Sequence, residues 1–256
     1  MPLRESEALI LRSYPYREAD LIVGFFTRDR GKVRGIAKSV RRPKSHFGSA
    51  LERLSHSRVT YFQKQTIELT RIDRAELIGP PLVMQADYAA SLALDYFAEV
   101  ADGMLPDHEP HDAYFRLLTL MIDTVCEGVK GDPEEQGWLW QALTYFSLWS
   151  LRLGGWLPPL NLCLETGVEF ALDETAYFDR SHSGLITSDL KSSESLPLTA
   201  ASRTLAREML RKPLSDLDPQ PWTRSTAADL RRFVHLRLEY HLEKRVRSLQ
   251  LLERLD

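Results

Sequence analysis

Hydrophobic and polar residues alternate in short stretches through the first third of the chain, between residues 6 and 78. A period of two is typical of strands that bury one face. The pattern predicts five strands, at Ala8–Ser13, Asp20–Thr27, Lys32–Lys38, Ser57–Phe62 and Ile67–Ile72. Pro15 marks a predicted turn at Ser13–Tyr16. Because short strands leave unpaired edges unless the sheet closes, we expect a small barrel, most often an OB-fold, with an SH3-like barrel as the alternative.

Beyond Pro80–Pro81 the apolar residues take a helical spacing, as in the series Leu92, Tyr96 and Val100. The pattern predicts helices at Leu82–Met104, Asp112–Glu127, Pro133–Leu153 and Thr199–Arg211, with hints of short strands near Phe170 and Tyr177. In the tail, apolar residues at four-residue spacing from Leu230 to Val246 alternate with basic ones, namely Arg231, Arg232, Arg237, Lys244, Arg245 and Arg247. We expect one or two amphipathic helices there, whose basic outer side is either solvated or in contact with phosphates.

These elements predict an α+β protein in which a five-stranded OB-fold barrel precedes a mainly helical part. The expected divisions are a barrel domain at residues 1–80, a helical domain at 81–158, a small irregular segment at 159–197, and C-terminal helices at 198–256 that pack on the helical domain. Pro80–Pro81 and Gly154–Gly155 mark two of these boundaries, since both pairs interrupt the periodic pattern.

Composition excludes several classes of protein. Apolar residues make up 43% and charged residues 27% of the 256, which is typical of a globular protein rather than a disordered chain. Only two cysteines are present, Cys126 and Cys163, so neither a disulfide framework nor a four-cysteine zinc site is expected. The chain opens on charged residues rather than on a signal peptide. We therefore expect a soluble protein of the cytoplasm.

Charge is distributed unevenly along the chain, although the net charge is only −3. Residues 1–80 contain 16 basic and 9 acidic side chains, residues 81–200 contain 5 and 19, and residues 201–256 contain 12 and 8. Basic ends around an acidic middle are compatible with binding a polyanion through one part of the molecule, or with a middle that is acidic only for solubility.

The most concentrated basic segment is Arg28–Lys44, which contains eight basic residues and one acidic residue. Because side chains alternate along a strand, we expect Lys32, Arg34 and Lys38 to project together while Val33 and Ala37 enter the core. The predicted DNA-binding residues are Arg28, Arg30, Lys32, Arg34, Lys38, Arg41, Arg42 and Lys44. Such a surface would bind the sugar-phosphate backbone without reading bases; the alternative is a merely solubilising face.

No motif points to catalysis. The chain has no dinucleotide fingerprint, Walker A sequence or nucleophile elbow. His108 and His111 have a metal-like spacing, but they fall in a proline-punctuated loop with no second ligand pair nearby. We therefore predict no catalytic residues, no metal, no cofactor and no enzymatic activity.

The opening run, residues 8–45, resembles the start of the bacterial RecO family of DNA repair proteins. The resemblance rests on the residues that fit the family's two N-terminal motifs, which are Leu11, Ser13, Pro15, Glu18, Asp20, Phe26, Thr27, Gly31, Lys32, Val33, Arg34, Ala37 and Lys38. It extends over about 80 residues, and the order of barrel, helical part, variable segment and basic tail also follows the family.

The resemblance implies a mediator of DNA repair and recombination in the RecF pathway, associated with the nucleoid. Such a protein binds single- and double-stranded DNA, anneals complementary strands and, with RecR, helps to load RecA onto DNA coated by SSB, which it engages through the SSB C-terminal tail. A non-enzymatic adaptor whose basic barrel binds an acidic protein is the alternative.

Many members of the family carry a four-cysteine zinc module after the helical part. Here Cys163 fits the first ligand, but Thr166, Thr187 and Leu190 occupy the other three positions. One thiolate cannot hold a tetrahedral zinc ion, so we predict a degenerate module without zinc.

Overall fold

The first five strands form a closed barrel. The computed structural model describes residues 2–42, 45–63, 69–79, 87–131, 137–217 and 222–255. The strands are β1 (Leu3–Tyr16), β2 (Asp20–Thr27), β3 (Gly31–Ala37), β4 (His56–Phe62) and β5 (Leu69–Leu77). They are ordered β1-β2-β3-β5-β4 around the barrel, with β3 parallel to β5 and every other neighbouring pair antiparallel. This is the arrangement of an OB-fold, so the predicted barrel is confirmed and the SH3-like alternative is wrong.

Alternation along the strands fills the barrel. The inward-facing residues include Ala8, Ile10, Val23, Phe25, Val33, Ala37, Val59, Tyr61, Ile72 and Ala75, all of which are buried. The rings of Phe25 and Tyr61 meet edge to face across this core, with centroids 5.4 Å apart. The predicted burial of Val33 and Ala37 is therefore confirmed.

Strand β1 is longer than predicted, and the prediction of a turn at Ser13–Tyr16 is wrong. Pro15 lies inside the strand, opposite Leu21 of β2. It is tolerated because β1 pairs with β4 only from Leu3 to Leu9, so its missing N–H has no neighbouring strand to face. The reversal comes afterwards, at Arg17, whose φ of 54° is left-handed.

Three helices group with the barrel in one compact unit, residues 1–130 and 246–256. They are α1 (Tyr88–Met104), α2 (Asp112–Gly128) and α6 (Arg247–Leu252). The Asp87 carboxylate accepts a hydrogen bond from the Ala90 N–H and caps the start of α1. Glu99 of α1 accepts hydrogen bonds from the N–H groups of Arg247 and Ser248, which fixes the start of α6.

The second unit comprises residues 131–245. Its elements are α3 (Gly137–Leu153), β6 (Ala176–Phe178), β7 (Leu196–Leu198), α4 (Ala200–Met209) and α5 (Ala228–Leu242). Contacts thus associate α1, α2 and α6 with the barrel, and α3 with α4 and α5. The division of the chain into four domains stays a prediction. No helix in the described ranges is long and apolar enough to cross a membrane.

The helices of the tail differ from the expectation in one respect. Two helices, α5 and α6, are present, but the basic residues of α5 do not all face outward. Arg231 and Arg237 are buried, while Arg232 is exposed. Their guanidinium groups donate hydrogen bonds to main-chain carbonyls inside the second unit, and this compensates for their removal from water.

Candidate nucleic-acid interface

The eight predicted DNA-binding residues fall into three groups. Arg28 and Arg30 lie in the turn between β2 and β3, Lys32 and Arg34 on β3, and the remainder after β3. We call Lys38–Arg42 the basic turn, which contains Lys38, Arg41 and Arg42. Lys44 lies outside the described residues.

Lys32 does not project into solvent with Arg34 and Lys38 as predicted. Its side chain is 9% exposed, and its Nζ donates to the carbonyl oxygen of Asp102 at 2.7 Å. A carboxylate oxygen of Asp107 lies 3.4 Å from the same nitrogen. The start of β3 is covered because the α1–α2 connection passes over it, with Asp107 bridged to Lys32. Lys32 therefore stabilises this contact inside the first unit rather than forming an open phosphate site.

Gly31 makes this close approach possible. Its φ is +73°, in the left-handed region that glycine favours, and a Cβ at this position would overlap the main chain of Glu109. The His108 N–H donates to the Lys32 carbonyl at 3.0 Å, which fixes the connection against the strand. His108 and Glu109 belong to the segment that the sequence pattern predicted to be a proline-punctuated loop.

Three other cations are exposed but paired. The Arg28 guanidinium lies 2.7 Å from Asp112 and 3.4 Å from Glu7, and hydrogen bonds to these two carboxylates raise the pKa of Arg28. Arg34 lies 3.7 Å from Asp107, and Arg30 lies 3.3 Å from Asp29. Ion pairs between exposed groups contribute little stability, so an incoming phosphate can replace these carboxylates.

The basic turn carries cations that have no carboxylate partner in the described part of the chain. Lys38, Arg41 and Arg42 are all exposed, and none of them forms an ion pair with any described residue. The backbone of the turn is nevertheless fixed: the Ser39 N–H donates to the Asp20 carboxylate at 2.9 Å, and the Arg41 N–H donates to the Ala19 carbonyl at 3.1 Å. The turn therefore presents positive charge from a defined position beside the β1–β2 hairpin.

The acidic partners of the barrel cations were missed by sequence reasoning. Asp102, Asp107 and Asp112 all lie at or between the ends of α1 and α2, and together they contact Arg12, Arg28, Lys32 and Arg34. The signal was present in the sequence as the acidic composition of residues 81–200. That composition shows neither which acids are involved nor which cations they reach.

Two of the other three positions of the degenerate zinc module, Thr166 and Thr187, lie beside Cys163. Burial tends to raise the pKa of its thiol, but hydrogen bonds from the Thr166 hydroxyl and from the main chain of Thr166, Thr187 and Glu165 hold that pKa below its ordinary value. Threonine and leucine at the other three positions do not fit a zinc ion, and the described residues contain no group of three or more potential metal ligands. The absence of zinc stays a prediction.

Comparison with known families assigns both parts of the chain to one family. The model for Recombination protein O N terminal matches residues 1–81, and that for Recombination protein O C terminal matches residues 85–250. The chain belongs to the RecO family. This RecO-family chain is 43% identical over 254 residues to DNA repair protein RecO of Koribacter versatilis (strain Ellin345), covering 99% of this chain and 100% of the relative. It is 30% identical over 258 residues to DNA repair protein RecO of Bifidobacterium adolescentis, with the same coverage.

The matches confirm the resemblance found in the N-terminal motifs and extend it over the whole chain. DNA repair protein RecO of Anaeromyxobacter sp. (strain K) is more distant, at 26% identity over 247 residues. Membership of the RecO family and the OB-fold barrel together identify a DNA repair protein. The basic turn lies on the surface of this barrel.

Proposed function

We propose that this RecO-family chain binds single- and double-stranded DNA and anneals complementary strands. With RecR, it helps to load RecA onto single-stranded DNA coated by SSB, whose acidic C-terminal tail it engages. It acts as a mediator that neither makes nor breaks a covalent bond. The partners follow from the family resemblance, whereas the DNA surface is argued from the barrel itself.

The observation that carries this proposal is the basic turn on a closed OB-fold barrel. Its three cations are held by a fixed backbone and have no carboxylate partner among the described residues. OB-fold barrels commonly bind oligonucleotides on their outer face. Annealing requires a surface that screens the repulsion between two strands without fixing either by base contacts, and exposed arginine and lysine side chains supply such a surface.

Reversal of two charges in the basic turn tests the proposal. We expect the double variant Arg41→Glu, Arg42→Glu to bind oligo(dT) at least tenfold more weakly at low salt and to lose annealing activity. The slope of log affinity against log salt should fall by about 1.4, because each lost phosphate contact on single-stranded DNA contributes about 0.7. Fluorescence anisotropy at several salt concentrations measures both quantities.

The matched control is the double variant Arg58→Glu, Arg74→Glu. These residues are also exposed on the barrel, where they pair with Glu5 and Glu76, and the change in net charge is the same. We expect a much smaller loss of affinity in the control. Equal losses in the two variants would mean that binding follows net charge rather than the basic turn, and an unchanged affinity in the test variant would overturn the proposal.

A further inference from the structure

Two loops of the second unit lie side by side. The first, residues 163–169, is closed by a hydrogen bond of 2.8 Å from the main-chain N–H of its first residue to the Val168 carbonyl. The second, residues 184–190, adjoins it where the Leu164 N–H donates to the Leu185 carbonyl at 3.1 Å. Because main-chain hydrogen bonds hold the two loops together, their side chains project from a fixed backbone.

Three large apolar side chains on these loops are exposed. They are Leu164, Val168 and Leu190, at 39%, 56% and 37% exposure, and we call them the apolar patch. Leu164 lies over Gly184, since a Cβ on that glycine would overlap a methyl carbon of the leucine. The Leu190 N–H donates to the carbonyl of Thr187, whose main chain also hydrogen-bonds to the thiol of the first loop. Scattered apolar side chains are ordinary on a surface, but three on adjoining loops are typical of a binding surface.

Each member of the apolar patch has an acidic residue beside it in the chain. These three residues, which we call the acidic rim, are Glu165, Glu169 and Asp189. All three are exposed, and none of them forms an ion pair with any residue that the structure describes. The sequences of the two loops contain no lysine, arginine or histidine. Apolar area and negative charge are therefore combined on one small surface.

The sign of the charge determines which kind of ligand suits this surface. A nucleic acid or an anionic membrane is repelled by the acidic rim, and so is the acidic tail of SSB. A protein segment that carries lysine or arginine together with large apolar side chains complements both parts of the surface. Protein interfaces commonly have this arrangement, in which an apolar centre is surrounded by charged residues of complementary sign.

We propose that the apolar patch and the acidic rim form a docking surface for a basic, apolar segment of a partner protein. The apolar patch contacts the large side chains of that segment, and the acidic rim pairs with its lysine or arginine residues and sets its orientation. The inference goes beyond the proposed function and does not depend on it, because it concerns loops of the second unit and not the barrel.

The test uses three labelled synthetic peptides of equal length and the full chain. The first is an amphipathic peptide of leucine and lysine, the second has glutamate in place of every lysine, and the third has serine in place of every leucine. We expect the leucine–lysine peptide to bind roughly tenfold or more tightly than either of the others, because only this peptide offers both apolar area and positive charge. Fluorescence anisotropy measures the three affinities.

Two double variants assign the binding to this surface. Leu164→Ser, Val168→Ser removes most of the apolar patch, and Glu165→Lys, Glu169→Lys reverses two charges of the acidic rim. Each should bind the leucine–lysine peptide about fivefold or more weakly, and the charge-reversed variant should also bind the leucine–glutamate peptide more tightly than the wild-type chain does. Since Leu164 packs over Gly184, Val168→Ser alone provides a variant that keeps this contact. Urea midpoints from tryptophan fluorescence show whether the second unit is folded in each variant.

The matched control is the double variant Leu120→Ser, Asp123→Lys on α2. It changes an exposed leucine and an exposed acid outside the two loops, so the affinity for the leucine–lysine peptide should change by less than about twofold. The variant Leu164→Ser, Val168→Ser should in turn keep the oligo(dT) affinity of the wild-type chain, because it removes no cation.

Three outcomes would overturn the inference. Equal affinity for the leucine–lysine and serine–lysine peptides would mean that negative charge alone attracts these peptides. Equal losses in the test and control variants would place the binding elsewhere on the chain. No binding of the leucine–lysine peptide would show that the apolar patch and the acidic rim do not form a docking surface for such a segment.

Discussion

Three arginines are buried in the second unit with main-chain carbonyls as their partners. Arg203 donates to Leu160 and Ala171, and Arg231 donates to Thr226. Each guanidinium also lies over an aromatic ring, with carbon-to-centroid distances of 5.0–5.5 Å. Burial lowers the pKa of all three, that of Arg231 to about 10, so each remains charged near neutral pH. The arginines thus fix irregular segments to α4 and α5.

Arg237 provides the clearest test of this role. Its two terminal nitrogens donate to the carbonyls of His182 and Asp179, both at 2.6 Å, and the side chain is 1% exposed. We expect Arg237→Met to lower the free energy of unfolding by about 3 kcal/mol, because two buried carbonyls lose their donors at about 1–3 kcal/mol each. Urea unfolding followed by tryptophan fluorescence measures the change, since all five tryptophans lie between residues 138 and 222.

The matched control for Arg237 is Arg232→Met. This residue is on the same helix but exposed, so its replacement should change stability by no more than about 0.5 kcal/mol. Similar urea midpoints for the two variants would contradict the proposed role of Arg237.

The position of a single charged side chain is what sequence patterns predict least well. Arg237 follows the same local pattern as Arg232, yet its partners lie 55 and 58 residues earlier in the chain. Lys32 likewise alternates with core residues as a surface lysine does, but its partner Asp102 is 70 residues away. Local spacing identifies the outward face of a strand or helix, whereas later segments of the chain determine whether that face remains open.

Strands and helices were predicted more closely than single side chains. Strand β2 has the predicted limits, Asp20–Thr27, because turn residues bound a short, mostly apolar run on both sides. Strand β5, predicted to end at Ile72, extends to Leu77 because its second half pairs with β4. The sequence pattern did not predict that half because it contains three charged residues, Asp73, Arg74 and Glu76. A barrel strand needs an apolar side chain at only one position in two.

If the barrel binds DNA as proposed, the connection between α1 and α2 should compete with DNA for the barrel cations. Asp107 contacts both Lys32 and Arg34, and the Arg34 side chain is 53% exposed. We expect Asp107→Asn to strengthen binding to oligo(dT) a few-fold at low salt, because Arg34 is then available to a phosphate. The salt slope should steepen by up to about 0.7. Anisotropy titrations measure both changes.

Asp123→Asn is the control for Asp107. It removes the same charge from an exposed position on α2, and Asp123 forms no ion pair with any residue in the described ranges. We expect little change in affinity there. If the two variants gained affinity equally, reduced overall repulsion would account for the effect, and the competition at β3 would be excluded.

Acid should destabilise the second unit through two histidines whose pKa values are lowered in the folded chain. Burial of the His235 ring lowers the pKa of this histidine to about 3, and the nearby positive charge of Arg231 also lowers it. Burial and Arg237 likewise lower the pKa of His241, whose ring stacks on Trp156 at 4.7 Å. Both histidines belong to the second unit, as do all the tryptophans.

The sign of the effect follows from the proton balance. Above about pH 6.5 His235 is neutral whether the chain is folded or unfolded. As the pH falls from there towards 3, the unfolded chain binds a proton at His235 that the folded chain does not bind, so acid favours unfolding. Between about pH 6.5 and 4.5 the stability of the second unit should fall by about 2 kcal/mol from this group alone.

Urea midpoints from tryptophan fluorescence across this pH range provide the measurement. We expect His235→Gln to have a flatter pH profile than the wild-type chain, because glutamine binds no proton in either state. His108→Gln serves as the control, since His108 is exposed in the first unit and its loss should leave the tryptophan profile unchanged. If His235→Gln retained the full wild-type slope, the acid sensitivity would have to come from other groups such as His241, and the role assigned to His235 would be wrong.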